Sequence, residues 1–363
     1  MKRKILSILL TLTMTLTLLP ATAMAEDVKG VQCDGGDGCD HKVAAIYDGS
    51  AGENPGEYHY DTLQAAITNG TNDYYGNFKL LDDVKEDIVV GEGRIAGKYI
   101  TLDLNGHTIT NAKSDTITVQ KRGKLTITGS GTVDNVTDGR APIYNNGTCT
   151  LSGGNYTRSK EAADNTTTSS GGNSYYNILN HGEMTIGSGV SVTSSGHFSS
   201  LVANGYYDYS AKDKGDRTAY IDNVGQAAPK LTIEGGTFRG GINTIKNDDN
   251  ATLTIKDGTF SNVTQAVVQN NNIAEISGGT FDAGDGFYAL QNRNFNGTMN
   301  KGNLTVTGGE FKGNVYATEG ATTDIRGGKF TANVKAYIPS DYVQSADGTV
   351  APLGESTAAA KIG

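Results

Sequence analysis

The sequence predicts an all-β solenoid, a coil of short strands stacked turn upon turn. Three observations predict it. From Leu104 onward, an apolar-x-apolar triplet, then Gly with a second small residue, then an aromatic or Val, recurs about every 22 residues. The units are rich in Thr, Ile, Val and Phe and alternate with period two, which is strand chemistry. Gly supplies 49 of the 363 residues, against 6 Pro and no Trp. Without a Gly-X-Y period or a Pro surplus this is not collagen. The 36% apolar content argues against wholesale disorder, and the Gly pairs and β-branched runs exclude helical repeats.

The chain opens on a segment that is not part of the fold. Lys2, Arg3 and Lys4 precede an apolar run from Ile5 to Leu19, and Ala23-Met24-Ala25 has the small-x-small pattern of a signal-peptide cleavage site. Residues 1–25 therefore read as a secretory leader of bacterial type, with the mature protein secreted or held at the cell surface. Losing those three charges takes the net charge from −9 to −12. So acidic a chain, with Lys and Arg scattered, is a poor partner for nucleic acid. No second apolar run long enough to span a membrane follows.

Residues 26–42 form a Cys/Asp-rich segment. Cys33 and Cys39 bracket a Gly-rich stretch, and in an exported protein a local disulfide is the first expectation. Free thiols are one alternative and a zinc site another, with Cys33, Cys39 and His41 supplying three of the four ligands zinc needs. Asp34, Asp37 and Asp40 suggest an oxygen-rich Ca²⁺ loop only weakly, because no bidentate Glu follows at the required spacing. No cofactor is expected.

Residues 43–99 read as an N-terminal cap with opening strands. Asp61 or Thr62 caps a short amphipathic helix through Ile67 that stops near Gly70. Residues 100–345 carry the repeat. Its clearest copies are Leu231-Thr-Ile-Glu-Gly-Gly-Thr-Phe238, Leu253-Thr-Ile-Lys-Asp-Gly-Thr-Phe260 and Ala274-Glu-Ile-Ser-Gly-Gly-Thr-Phe281, followed by Leu304–Phe311 and Thr323–Phe330. The long step from Ile186 to Ile233 reads as two units with one copy degraded. Stacking predicts an internal column of Ile233, Ile255, Ile276, Val306 and Ile325 and another of Phe238, Phe260, Phe281, Phe311 and Phe330. A second strand in each unit ends in Asn, which predicts a ladder of Asn180, Asn204, Asn223, Asn247, Asn270 and Asn292. Cys149 lies in a predicted strand as a small core residue. Residues 346–363 read as a tail or the start of a further module.

These units resemble the right-handed parallel β-helix of the pectin-lyase-like superfamily, in the form found in secreted and surface repeat proteins of Gram-positive bacteria. The run Tyr60–Ile67, Phe78–Val84, Tyr99–Ile109 is similar to the N-terminal opening of such modules. The resemblance implies about ten turns under a short capping helix. It implies little about activity, since the fold hosts many functions.

The carboxylate, His and Arg clusters of the enzymes on this fold are not found together here. Asp82-Asp83, Asp248-Asp249 and His107 read as turn residues, and His181-Gly182 has no paired carboxylate in its unit. Function is expected on the segments that leave the coil. One runs from Arg158 to Asn173 and is followed by Tyr175 and Tyr176. Another carries Tyr206, Tyr207, Asp208, Tyr209 and Asp213. Both are expected at one corner of the coil, with a third, Arg293–Gly302, at the other end of the Asn-ending strand. Exposed Tyr beside Asp suits a glycan: rings stack on sugar faces and carboxylates take hydroxyls. The expectation is a non-enzymatic module for adhesion or carbohydrate binding, its partner a glycan or a surface protein. A polysaccharide lyase or hydrolase with degenerate motifs, and a purely structural spacer, are the alternatives.

Overall fold

A computed structural model of the chain describes residues 30–31, 40–50, 52, 54–161, 175–205, 228–248, 250–261, 264–294 and 301–356. The chain forms a parallel β-helix. Each regular turn has a first strand (as in Thr252–Ile255), a Gly bend, a second strand (Thr259–Ser261) and a third strand (Ala266–Asn270). The third strands form a nine-stranded parallel sheet. First and second strands are also parallel from turn to turn, joined into one larger sheet by Thr148–Thr157 and Glu183–Thr193, which run through the bend.

The expected columns form in register. Ile233, Ile255, Ile276, Val306 and Ile325 are successive strand partners, all buried. Phe238, Phe260, Phe281, Phe311 and Phe330 stack face to face, with ring centroids 4.9, 4.8, 4.7 and 4.5 Å apart. That spacing is the strand separation itself, so one ring per rung fills the corner without a void. The bend between the columns needs a left-handed backbone: Gly236 and Gly279 sit at φ +105° and +101°, where a side chain is strained.

At the N-terminus, β1 (Val43–Tyr47) lies antiparallel between β2 (Gly56–Tyr60) and β3 (Tyr75–Leu80), and β3 starts the parallel stack. The capping helix α1 (Leu63–Asn69) follows Thr62, whose Oγ1 accepts from Ala65 N, and ends at Gly70. Glu86 adds a second cap, its two oxygens accepting from Leu63 N and Gln64 N. Leu63, Ala66 and Ile67 are buried against the open end of the coil. At the other end an antiparallel hairpin, Tyr342–Gln344 with Val350–Pro352, folds back. Phe330 N donates to Gly348 O, and Val350 N to Gly328 O, so the hairpin covers the last rung.

Two expectations about register are corrected. Ile186 pairs directly with Ile233, Val192 with Phe238 and Asn204 with Asn247. The long step is therefore one turn with an insertion between Gly205 and Ala228; Asn204 hydrogen-bonds directly to Asn247, and Asn223 lies outside the described residues. The corners are reassigned as well. The segment after Arg158 leaves between a second and a third strand, whereas that after Gly205 leaves between a third and a first strand. The latter corner is shared with the segment after Arg293, which returns at Asn303–Val306. Composition marked where the chain departs from the repeat, but only pairing partners show which strand it departs from.

Candidate functional site

The Asn column is the polar half of the interior. Asn145 Nδ2 donates to Asn180 Oδ1 at 2.7 Å, and the chain continues through Asn204, Asn247, Asn270 and Asn292 at 2.7–2.8 Å. Each amide also donates to main-chain carbonyls of the turn beyond, as Asn247 does to Ile273 O at 2.9 Å. These side chains are buried and their hydrogen bonds are spent within the coil, so the column is structural. Cys149 is buried among the core residues, and burial pushes its thiol up to about 12.

The candidate site is a groove of about 650 Å³ where the second strands end and the chain turns towards the third. Its floor comes from the last outward position of four successive rungs: Thr157, Thr193, Arg239 and Ser261. Arg158, Ser159, Ser194, Ser195, His197 and Gly240 complete it. The alternation that buries Tyr156, Val192, Phe238 and Phe260 points their successors outward.

Behind the floor lies a buried ionic support. The Arg158 guanidinium is fully buried, with Nη1 and Nη2 donating to Thr137 O at 3.3 Å and Nη1 also to Arg140 O. Its Nε lies 3.8 Å from Glu161 Oε2, which also accepts from the Ser194 hydroxyl. Burial holds Arg158 below the usual guanidinium range, partly offset by the Glu161 charge. Asp134 accepts from Thr157 Oγ1 and Ser159 N, each at 2.8 Å. Both carboxylates are buried and hold the groove wall rather than facing the groove. What faces it is a set of hydroxyls with His197 and Arg239. His197 Nδ1 shares a 2.8 Å hydrogen bond with Thr264 Oγ1, while Arg239 is exposed. Phe198, next to His197, is 37% exposed.

Of the expected ligand residues, Tyr175 and Tyr176 are described, near Arg158 but not among the residues that line the groove. Their rings are 4.9 Å apart, and the Arg158 guanidinium lies 5.9 Å from the Tyr175 ring. Burial, with the Tyr176 charge second, pushes the Tyr175 hydroxyl up to about 12. Tyr175 is thus half packing residue, half surface. Tyr206, Tyr207, Asp208, Tyr209 and Asp213 lie outside the described residues. The described foot of their segment is a smaller hollow of about 290 Å³ lined by Lys121, His181, Glu183, Ala228 and Lys230. There His181 Nδ1 lies 3.3 Å from the Tyr144 hydroxyl, and burial lowers His181 to about 4.

Cys33 and Cys39 also lie outside the described residues. The described flanks of their loop meet at His59: Val31 pairs with it, and the His41 ring lies edge-on to its ring at 6.4 Å. Among the described residues no three His, Cys, Asp or Glu side chains converge on a position that could hold a metal, and no helix is long and apolar enough to cross a membrane. Asp83 accepts from Thr108 N at 2.7 Å, on the next turn of the coil.

Sequence reasoning missed His197, Phe198 and Arg239. Gly196-His197-Phe198 departs from the repeat but is too short to stand out, and Arg239 sits inside a regular copy. Comparison of the chain with protein-family models, with curated proteins and with solved structures finds no match.

Proposed function

We propose that the protein is an exported, non-enzymatic β-helix module of a bacterial surface or secreted protein, and that it binds carbohydrate at the corner groove. The observation that carries this reading is the row of outward hydroxyls from three rungs, Thr157, Thr193 and Ser261, with Arg239 on the rung between Thr193 and Ser261 and the exposed Phe198 next in sequence to the groove's His197. Hydroxyls and a guanidinium exchange hydrogen bonds with sugar hydroxyls, and an exposed ring supplies an apolar platform. Parallel stacking repeats these donors at about 4.8 Å, so an extended oligosaccharide meets similar partners on successive rungs. Tyr206, Tyr207 and Tyr209 are proposed as a second aromatic contribution from the insertion at the other corner.

The test is a glycan array with wild-type protein, with Phe198→Ala/Arg239→Ala, and with the three tyrosines replaced by Ala. Binding by wild type that drops at least tenfold in the groove variant, with an unchanged melting transition, supports the groove. Loss only in the tyrosine variant moves the site to the other corner. Release of reducing sugar or unsaturated product from a polysaccharide panel would establish the lyase or hydrolase alternative. Neither binding nor turnover would leave the spacer.

A further inference from the structure

Lys246, largely covered, and the buried Asp248 and Asn271 form a trio that neither the ladders nor the groove employs. The third strands Asn243–Asn247 and Ala266–Asn270 run parallel, with Lys246 facing Gln269 and Asn247 facing Asn270. Asn247 and Asn270 point into the Asn column, so the residues flanking them point outward. Asp248 Oδ2 lies 3.0 Å from Lys246 Nζ, and Asp248 Oδ1 accepts from Asn271 Nδ2 at 3.1 Å. The Lys246 and Asp248 side chains are only 12% and 3% exposed, and Asn271 only 1%. The Asn271 side-chain oxygen is buried with no hydrogen-bond partner.

We propose that this trio closes an intramolecular amide cross-link between Lys246 and Asn271, on neighbouring turns of the coil. Lys246 and Asn271 are diagonal neighbours across two strands, about 7–8 Å apart, which a lysine chain spans. One carboxylate touches both the amine and the amide, and it carries the protons. It first takes one from the Lys246 ammonium, 3.0 Å away. The Nζ lone pair then forms a bond to Asn271 Cγ. The Cγ–Nδ2 bond breaks as Asp248 returns the proton to the departing nitrogen; Asp248 then takes the second proton from Nζ, which becomes the amide nitrogen, and passes it to the ammonia, which leaves as ammonium. Amide and amine become amide and ammonia, so no oxidant, reductant or cofactor is needed. Holding the groups together replaces the encounter that makes this reaction slow in solution.

Mass spectrometry of the purified full chain tests the proposal. The intact mass should fall short of the sequence mass by about 17 Da, one ammonia, beyond leader removal. Trypsin should not cut after Lys246, and 240–256 should be found joined to 257–293. Asp248→Asn and Asn271→Ala should each return the two peptides to separate, linear form. Linear peptides in the wild type overturn the proposal whether or not the variants fold. So does a 17 Da deficit within a single linear peptide, which would mark a succinimide at an Asn-Gly step. A joined pair whose partner is Gln269 overturns the assignment to Asn271, and one that persists in Asp248→Asn overturns the role of the carboxylate.

Discussion

At the scale of single residues, what sets this protein apart from an apolar core is the buried amide column. Each inner Asn, from Asn180 to Asn270, both donates and accepts along the stack, so none of these can be removed without orphaning a neighbour. Asn247→Asp keeps the shape but loses the Nδ2 donors to Asn270 Oδ1, Ala251 O and Ile273 O. It should cost roughly 3–5 kcal/mol near pH 7. The deficit should shrink as the pH falls, because the buried acid holds its proton more tightly than the unfolded one and protonation returns one donor. Urea unfolding at pH 7 and pH 4, each against wild type, measures both. His181 makes the opposite prediction. Its folded value, about 4, lies below the free value of 6.5, so the unfolded chain takes up the proton first. The stability this group contributes is complete above pH 6.5 and is lost as the pH falls towards 4. The loss should be on the order of 3 kcal/mol, seen in wild type and absent in His181→Gln.

Among the elements, the rung is the unit of stability and alternation is its rule. Leu253 and Ile255 are buried while Thr252 and Thr254 look outward, and each repeats in the turn above and below. Ile255→Asp should cost several kcal/mol and prevent folding at 37 °C, whereas Thr254→Asp should change stability by less than about 1 kcal/mol. Circular dichroism melts of the two variants check this, and equal effects would contradict the alternation. The capping helix follows from local chemistry too: Thr62 caps it, Gly70 ends it, and its apolar stripe has the coil end to cover. Glu86, the second cap, comes from beyond β3 and has no signature beside the helix. The two carboxylates at the groove are read in the same way. Asp134 and Glu161 could be counted from composition, but only their hydrogen-bond partners show that they hold the wall.

For the whole molecule, the two ends matter most, since a parallel coil presents an unpaired strand edge at each. β1, β2 and α1 cover one end, and the hairpin 342–352 covers the other. Deleting residues 26–70 removes every partner of β3 except the first rung it stacks on. The truncated protein should aggregate or lose its cooperative transition, which size-exclusion chromatography and thermal melting would report. A monomer of unchanged stability would make this region an appendage.

The sequence by itself determined the solenoid, its Ile, Phe and Asn columns and its capping helix. These depend on periodicity and local propensity, and stacking like on like makes each rung a copy of its neighbour. It also marked where the chain leaves the coil. The tertiary structure alone decided that the Ile186–Ile233 step is a single turn, which corners the insertions share, and that His197 and Arg239 adjoin a hydroxyl row. It alone brought Lys246, Asp248 and Asn271 together. The physical reason is one of distance along the chain. The repeat relates residues about one turn apart, which spacing reveals, whereas which corner an insertion occupies depends on turn lengths that the insertions change, and which outward side chains touch depends on side-chain placement that spacing does not encode.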